Sequence, residues 1–259
     1  KKLLKKKNIK ITPINIIKNS KKMNTSKNNN NENKNLMRNY RSIRDLAKGS
    51  NGIVSQAYDI NTNQLFAVKS IPNSKITSKR IENQLKEEMK ILYRLNHKNV
   101  LKIKDVLKTS NNTNLILEYC NGGTLLDYCN FYKKNYKKYL NTKIIQRIFK
   151  QLIIGLKYIH RSNIIHRDIK LENIMINFDD YDNKYDGEEF ITVEEIYNIF
   201  DLEKDNFTIK IVDLGYARNI EESNCASTIC GTPITIAPEI VNLMIQQENE
   251  NEKREKYNS

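Results

Sequence analysis

The sequence predicts a two-lobed α+β fold, in which a small sheet with one helix precedes a mostly helical region. Apolar and polar residues alternate over 43–69, which predicts short strands separated by turns. The period changes to that of a helix over 78–95, and strands return at 100–107 and 114–119. A long apolar helix over 142–160 opens the second region. A run of strands followed by a run of helices is typical of the α+β class.

The individual elements follow from the spacing of the apolar residues. Alternation predicts strands over 43–47, 52–58 and 64–69, because successive strand residues face opposite sides of a sheet. A spacing of three to four residues predicts the two helices. This spacing is carried by Ile81, Leu85, Met89 and Leu92 in the first helix and by Ile144, Ile145, Ile148, Leu152, Leu156 and Ile159 in the second.

The net charge of +14 is concentrated at the amino end of the chain. Residues 1–38 contain twelve Lys or Arg and one acid, so they carry +11 and the remainder carries +3. This Lys- and Asn-rich composition cannot bury enough apolar surface to fold, which predicts a disordered basic tail. The tail leaves open a weak contact with an acidic membrane surface. Because the remainder is near neutral, the charge argues against nucleic-acid binding.

Apolar runs and cysteines narrow the class of protein further. No apolar run approaches the roughly 20 residues needed to cross a bilayer, and no signal-peptide pattern follows the basic start. The four cysteines are too few and too scattered for a disulfide framework, and their spacing is not that of a metal knuckle. These features predict a cytoplasmic protein without a transmembrane segment. The cysteines are Cys120, Cys129, Cys225 and Cys230.

Residues 179–208 form an acidic segment that interrupts the second region. They contain eleven acids and two lysines, a net charge of −9, and a few apolar residues around Ile196. Asp182 begins a pattern like that of a calcium loop, but Lys184 and Val193 occupy its third and twelfth positions and cannot ligate through a carboxylate. We therefore interpret the segment as an acidic insertion with a short amphipathic helix.

Five short motifs occur in a fixed order along the chain. Each is weak alone, but together they resemble the eukaryotic protein kinase family over about 40–239. The resemblance implies a two-lobed protein kinase fold with a complete N-lobe and the first part of the helical C-lobe, and ATP and Mg²⁺ as cofactors. The motifs are GSNGIV (49–54), AVK (67–69), HRDIKLEN (166–173), DLG (213–215) and APE (237–239).

The resemblance implies roles that suit phosphoryl transfer, which depends on positioning and on charge stabilisation. Asp168 would accept the proton of the substrate hydroxyl, and Lys170 would neutralise the moving phosphoryl group. Asn173 and Asp213 offer the oxygen ligands that Mg²⁺ prefers. Lys69 would contact the α- and β-phosphates and needs an anionic partner. Counting back from His97, that partner is Glu88, while Glu87 is the alternative and would face about 100° away around the helix.

Further positions match the nucleotide pocket of the family. Three of them depart from the usual pattern: Ala47 replaces the first Gly of GxGxxGxV, Asn51 stands where an aromatic usually caps the loop, and Leu214 replaces the Phe of DFG. Leu214 keeps an apolar side chain there and, with His166 and Leu92, would join the apolar column that couples the lobes. The predicted ATP-binding residues are Ala47, Gly49, Gly52, Val54, Ala67, Lys69, Leu117, Glu118, Cys120 and Met175.

The substrate class follows from two positions of the same motifs. Lys170 and Thr232 are choices of the serine/threonine type, so the expected partner is a protein with Ser or Thr. Short stretches at 118–123 and 228–233 are similar to the autophagy-initiating (ULK-type) kinases, and calcium/calmodulin-type kinases share parts of them. Regulation is predicted at Arg167, which would pair with phosphorylated Thr228, while Ser227 and Thr232 are further candidates.

The predicted domain covers 39–240, with an N-lobe to about 118, a partial C-lobe to 240 and the acidic insertion inside it. Residues 241–259 are predicted to be a polar tail that cannot supply the rest of a helical lobe. Part of the apolar face of 142–160 would then lack packing partners. Three explanations stay open: the sequence is a fragment, the lobe resumes after Ser259, or the chain is a truncated kinase-like module that binds nucleotide or partners without catalysis.

Overall fold

The computed structural model describes residues 39–49, 52–183, 187, 191–219, 232–243 and 245–246. All of them fall within one compact unit that spans 32–259. The predicted basic tail over 1–38 lies outside the described residues, and so does most of 241–259. Within the described ranges, no helix combines the length and the hydropathy needed to cross a bilayer.

A five-stranded antiparallel sheet forms the first lobe, as the alternating pattern predicts. Its spatial order is β1-β2-β3-β5-β4, so β3 lies at the centre and pairs with both β2 and β5. Its inner residues are buried, which fixes the register of the central strands. The strands are β1 (Tyr40–Gly49), β2 (Gly52–Asp59), β3 (Leu65–Pro72), β4 (Ile103–Lys108) and β5 (Asn112–Glu118).

One helix, α1 (Lys79–Arg94), belongs to this lobe and matches the predicted segment. Ser78 caps it, since its side chain accepts a hydrogen bond from the backbone N–H of Ile81. The apolar stripe is buried at Leu92 but not at Ile81, which is 41% exposed. The helix therefore meets the core with its second half.

The second region contains helices and two small two-stranded sheets. Helix α2 (Leu125–Tyr136) was not predicted, whereas α3 (Thr142–Arg161) matches the predicted long helix. A capping box between Thr124 and Asp127 opens α2. The remaining strands are β6 (Ile164–Ile165), β7 (Ile174–Phe178), β8 (Phe207–Ile211) and β9 (Arg218–Asn219), paired as β6 with β9 and β7 with β8. A further helical segment covers 238–243.

One apolar cluster joins the sheet and α1 of the first lobe to α3, β6 and β8 of the second region. Leu92 of α1 and Leu214 after β8 belong to it, together with Ile159 of α3. The cluster therefore links the two lobes through side chains that are almost fully buried. Burial of apolar surface stabilises the folded state by about 25 cal/mol per Å² removed from water. It places Lys69 of β3 and Asp213 at the two sides of one cleft.

The acidic insertion connects β7 to β8 and contains the predicted short helix, α4 (Val193–Ile199). Phe178 and Phe207 at its two ends are register partners in the hairpin. Ile196, Tyr197 and Leu202 are buried. They pack with Tyr128 and Phe131 of α2, so the insertion contributes to the core of the second region.

The apolar surface of α3 divides into two parts. Ile144, Ile148 and Ile159 are buried in the core, whereas Ile145 and Phe149 are 50% and 58% exposed. Ile153 continues this outer row at a spacing of four residues. Within the described part of the chain, the outer row faces solvent.

Gly155 of α3 lets the helix approach β8 closely, which leads to a stability prediction. A Cβ at this position would lie 2.8 Å from Cδ1 of Ile211 and 3.0 Å from Cβ of Asn99. We expect Gly155→Val to lower the free energy of unfolding by about 1–3 kcal/mol, because the core around Ile211 has no room to relax. Urea unfolding measures this, and Lys157→Val, in the same helix at an exposed position, should change the free energy by less than about 0.5 kcal/mol. Equal effects of the two variants would contradict the close-packing argument.

Candidate active site

A part-buried ion pair connects β3 to α1 at the edge of the cleft. Nζ of Lys69 lies 2.8 Å from Oε1 of Glu88 and 3.8 Å from Oδ1 of Asp213. Burial acts to lower the pKa of Lys69, but the carboxylates of Glu88 and Asp213 outweigh it and raise the pKa above its ordinary value. Lys69 is therefore a fixed cation with one anion on each side.

The structure distinguishes the two adjacent glutamates of α1. Glu88 is buried and faces Lys69, whereas Oε1 of Glu87 lies 2.6 Å from Nζ of Lys90 on the outer face of the helix. The 100° step between neighbouring helix residues accounts for the difference. Glu88 is thus the residue that the fold brings to Lys69.

Asp168 is at the centre of a second cluster, on the loop before β7. Its Oδ2 lies 2.9 Å from Nζ of Lys170 and accepts a hydrogen bond from Nδ2 of Asn173 at 2.9 Å. Its Oδ1 accepts from the hydroxyl of Thr232 at 2.7 Å. Nζ of Lys170 in turn donates to Oγ1 of Thr232 at 2.6 Å. The carboxylate is held in one orientation by three side chains.

These contacts determine the charge states in the cluster. Burial acts to raise the pKa of Asp168, but hydrogen bonds from Thr232 and Lys170 outweigh it and hold the pKa below its ordinary value. The hydrogen bond to Asp168 raises the pKa of Lys170. At neutral pH the cluster therefore holds an ionised carboxylate beside an ammonium group.

The backbone before Asp168 is fixed by the preceding residues. His166 is almost fully buried, and burial lowers the pKa of its ring. Its Nε2 lies 2.9 Å from the carbonyl oxygen of Val212, while Nδ1 accepts from the backbone N–H of Asp168 at 3.3 Å. Arg167 has a positive φ of 68° and donates from Nε to the carbonyl oxygen of Tyr216. Hydrogen bonds therefore connect the loop to Val212 and Tyr216, the residues on either side of the 213–215 motif.

The two predicted metal ligands lie at the ends of two paired strands: Asn173 directly precedes β7, and Asp213 follows β8. The carbonyl oxygen of Asn173 accepts a hydrogen bond from the backbone N–H of Val212 at 3.0 Å, and Asp213 follows directly. Because Nδ2 of Asn173 donates to Asp168, its Oδ1 points away from that carboxylate. The Asp213 side chain is 46% exposed and faces Lys69. One amide oxygen and one carboxylate suit Mg²⁺, which keeps several other oxygen ligands.

The predicted nucleotide residues line up across the sheet. Ala47, Val54 and Lys69 are at one level, since Ala47 pairs with Val54 and Val54 pairs with Lys69. Ala67 pairs with Leu117 of β5, and Met175 of β7 packs against the same apolar cluster. The assignment of Val54, Ala67 and Met175 to adenine stays a prediction from the resemblance.

The segment that links the two lobes begins at Glu118. Oε1 of Glu118 lies 2.6 Å from Nζ of Lys210 on β8, a contact that sequence reasoning did not find. The backbone N–H of Glu118 donates to the carbonyl oxygen of Lys102. Burial raises the pKa of the Cys120 thiol to about 12, so this side chain stays protonated. The ion pair anchors the start of the segment to the strand that leads to Asp213.

Gly49 and Gly52 face each other where β1 turns into β2. Gly52 has a φ of 155°, and a Cβ there would lie 2.1 Å from the carbonyl oxygen of Ser70. Only glycine fits this position, so the start of β2 lies close against β3. Ser50 and Asn51, which separate the two glycines in the sequence, lie outside the described residues.

A cavity of about 800 Å³ brings the two charged clusters together. Lys69 and Glu88 line one side, and Asp168, Lys170 and Asp213 line the other. Gln84 of α1 also lines it and donates from Nε2 to the carbonyl oxygen of Gly215, a role that the apolar helix pattern does not reveal. A phosphate group in this space would meet the ammonium groups of Lys69 and Lys170 and the carboxylate of Asp213, one of the two candidate metal ligands.

The predicted regulatory residues have different outcomes. Ser227 and Thr228 lie outside the described residues, so a contact of Thr228 with Arg167 stays a prediction. Thr232 lies against Asp168 and Lys170, inside the cluster of predicted catalytic residues. The structure thus places Thr232 where it orients the carboxylate.

Comparison with known proteins gives matches over most of the chain. A family model described as the protein kinase domain matches residues 40–255. The probable serine/threonine-protein kinase fhkA of Dictyostelium discoideum is 33% identical over 80% of this chain and 31% of its own length. The human NUAK family SNF1-like kinase 1 is 28% identical over 80% of this chain and 27% of its own length. The serine/threonine-protein kinase ATG1b of Arabidopsis thaliana is 28% identical over 77% of this chain and 24% of its own length. The chain spans less than a third of the length of these relatives.

Proposed function

Because this chain belongs to the protein kinase domain family, we propose that it transfers the γ-phosphate of ATP to Ser or Thr hydroxyls of proteins. One observation carries the proposal: Asp168 and Lys170 face Lys69 and Asp213 across a single cavity, and Asn173 donates a hydrogen bond to the carboxylate of Asp168. The non-catalytic alternative predicts loss of some of these polar residues, and all of them are present.

Asp168 supports the first part of the reaction. Its carboxylate is ionised, oriented by Thr232 and Asn173, and lies at the cavity wall. A substrate hydroxyl that enters the cavity would donate its proton toward this carboxylate as the new P–O bond forms. Lys170, on the same carboxylate, would meet the phosphoryl oxygens.

Lys69 and the candidate metal ligands support the second part. Lys69 is held by Glu88 and would bind the α- and β-phosphate oxygens without reorientation. Asn173 and Asp213 are the residues that would hold Mg²⁺. When bound, Mg²⁺ neutralises charge on the transferring phosphate. The residues of this chain thereby orient the nucleotide and keep the hydroxyl in line.

The serine/threonine type rests on Lys170 and Thr232, which contact each other and Asp168. Two relatives carry this type in their names. The ULK-type subfamily, a role in autophagy and a cytoplasmic location stay predictions, since ATG1b and the SNF1-like kinase are equally identical to this chain. The domain limits of 39–240 are likewise proposed.

A transfer assay tests the function directly. The full chain is incubated with Mg²⁺, radiolabelled ATP and a general protein substrate, and the label is assigned by phosphoamino-acid analysis. We expect phosphoserine and phosphothreonine, and no incorporation when Mg²⁺ is chelated. Nucleotide binding without any transfer would support the non-catalytic module instead.

Thr232 provides a separate prediction because its hydroxyl is shared between two catalytic candidates. Thr232→Val removes the donor to Asp168 and the acceptor for Lys170. We expect kcat to fall about 10- to 100-fold, since hydrogen bonds to charged groups contribute about 1.5–3 kcal/mol. The KM for ATP should stay within about twofold, because Thr232 contacts Asp168 and Lys170, whereas Lys69 is held by Glu88 and Asp213.

Steady-state kinetics of Thr232→Val and Thr232→Ser separate the hydroxyl from the rest of the side chain. Thr232→Ser should restore most of the rate because it keeps the oxygen. If both variants lose the rate equally, the hydroxyl does not orient Asp168.

A further inference from the structure

The acidic insertion between β7 and β8 has no part in the proposed chemistry, yet it touches the segment that links the lobes. We name 118–123 the hinge segment. It runs from the end of β5 to the residues before α2 and includes Glu118 and Cys120, which the resemblance assigns to adenine. The described residues of the insertion contact this segment at two separate places.

The first contact is a hydrogen bond from Tyr197 of α4. Its hydroxyl donates to the carbonyl oxygen of Gly122 at 2.6 Å, and both residues are buried. Burial raises the pKa of Tyr197, so the hydroxyl keeps its proton. Gly122 also donates from its backbone N–H to the carbonyl oxygen of Ile176, next to Met175, which the resemblance assigns to adenine. Gly122 is therefore held from two sides, with its carbonyl bound by the insertion and its N–H bound by β7.

Gly123 shows how closely the insertion approaches. It has a positive φ of 62°, and a Cβ there would lie 2.9 Å from Cγ1 of Val193 and 3.2 Å from the hydroxyl of Tyr197. Both atoms belong to α4, so this helix lies directly on the hinge backbone. Such a close approach transmits any displacement of α4 to the hinge segment.

The second contact crosses from one lobe to the other. The backbone N–H of Leu65, the first residue of β3, donates to the carbonyl oxygen of Asn183 at 2.9 Å. Nδ2 of Asn121 in the hinge segment donates to Oδ1 of Asn183 at 3.1 Å. Asn121 is itself buried and bonds the backbone of Phe178 through both ends of its amide. Asn183 thus joins the sheet to the hinge segment and to the end of β7.

The far side of α4 is fixed to the second lobe. Tyr197 packs edge-on against Tyr128, with ring centroids 5.0 Å apart, and Phe131 lies beside them. Arg147 of α3 donates to the carbonyl oxygens of Leu202 and Asp205. The insertion is therefore packed and hydrogen-bonded on α2 and α3. These contacts hold it in place while Tyr197 and Asn183 bind the hinge segment.

We propose that the insertion is a clamp on the hinge segment, and that Tyr197 is a positioning residue for nucleotide binding. Tyr197 holds the Gly122 peptide, and Asn183 joins the hinge segment to β3. Together they keep the backbone of 118–123 in the conformation that receives adenine. The proposal rests on the proposed function, because it assigns the hinge segment to ATP.

The clamp predicts a particular kinetic pattern. Adenine contacts are made equally in the ground state and in the transition state, so weakening them raises KM and leaves kcat unchanged. Tyr197→Phe removes one hydroxyl and leaves the carbonyl of Gly122 buried without its donor. We expect the Kd for ADP and the KM for ATP to rise about three- to tenfold. Hydrogen exchange in the 118–124 peptide should become faster.

Tyr128→Phe is the matched control. Tyr128 lies in the same aromatic cluster, is equally buried, and its hydroxyl meets the backbone of Leu202 instead of the hinge segment. It should lower the melting temperature as much as Tyr197→Phe and leave both the Kd for ADP and the exchange of 118–124 unchanged. Asn183→Ala should raise the Kd less than Tyr197→Phe, because its backbone carbonyl still bonds Leu65.

The outcomes separate the clamp from the proposed function, since ADP binding and hydrogen exchange require no transfer. A chain that binds ADP without phosphorylating protein would overturn the proposed function. The ADP affinities of the Tyr variants would still test the clamp. Equal Kd values for wild type, Tyr197→Phe and Tyr128→Phe would overturn the clamp alone. A Kd raised equally by both Tyr variants would also overturn it, because general loosening then explains the loss. A wild-type chain that binds no adenine nucleotide would overturn both.

Discussion

Asp168→Ala is expected to lower kcat by about 10²- to 10⁴-fold while the Kd for Mg-ATP stays nearly constant. The carboxylate is the group that the geometry offers to the substrate hydroxyl, and the contacts with Lys170, Asn173 and Thr232 all converge on it. The phosphate-binding cation, Lys69, is held by Glu88 and is not affected directly. Single-turnover transfer measures the rate, and isothermal titration measures the affinity.

Asp180→Ala serves as the control for this variant. Asp180 is exposed in the insertion, so its loss should leave kcat within about twofold. If Asp168→Ala keeps more than about a tenth of the rate, Asp168 is not the proton acceptor. A parallel loss of Mg-ATP binding would point instead to collapse of the loop.

Lys69→Met is the second large effect, and it acts on both stability and transfer. Removing the cation leaves Glu88 buried without its partner and Asp213 without its neighbour. Breaking a buried ion pair by removing one partner costs about 3–5 kcal/mol of stability. Because the phosphates also lose their fixed cation, we expect kcat/KM to fall by more than about 100-fold.

A double variant separates the two consequences. Lys69→Met with Glu88→Leu replaces the whole ion pair by apolar side chains of similar volume, which is often neutral for stability. We expect urea unfolding to return close to the wild-type value while transfer stays absent. Recovery of transfer together with stability would show that the pair is structural only. Glu87→Leu is the control, since Glu87 pairs with Lys90 on the outer face.

Much of the fold could be predicted from the sequence because apolar spacing directly reflects burial. The predicted strands and the helices at 78–95 and 142–160 agree with the observed elements to within a few residues. Helix α2 was missed because Asn and Tyr are weak helix formers and obscure its period. Its start could have been found from Thr124 and Asp127, whose spacing is that of a capping box.

The arrangement of side chains in the site was harder to predict from the sequence than the fold. Motif order led to Lys69, Asp168, Asn173 and Asp213, because each lies at a fixed offset within a short motif. The contact of Thr232 with Asp168 joins residues 64 positions apart, and nothing in the local pattern around Thr232 indicates it. The docking of α4 on Gly122 is equally non-local. Such contacts depend on tertiary packing, which a single sequence does not encode in any period.

The pairing of Phe178 with Phe207 has a consequence for how this chain could have acquired its insertion. The 28 residues between them leave and rejoin the hairpin at adjacent points, so the path of the remaining chain does not depend on their number. Closing a longer loop costs only about 0.6 kcal/mol per doubling of its length. The segment could therefore have lengthened stepwise from a tight turn without a change in the pairing of β7 with β8. The place where the segment leaves the β7–β8 hairpin is also a suitable position for a fluorescent reporter, which would report on the hinge segment from outside the cleft.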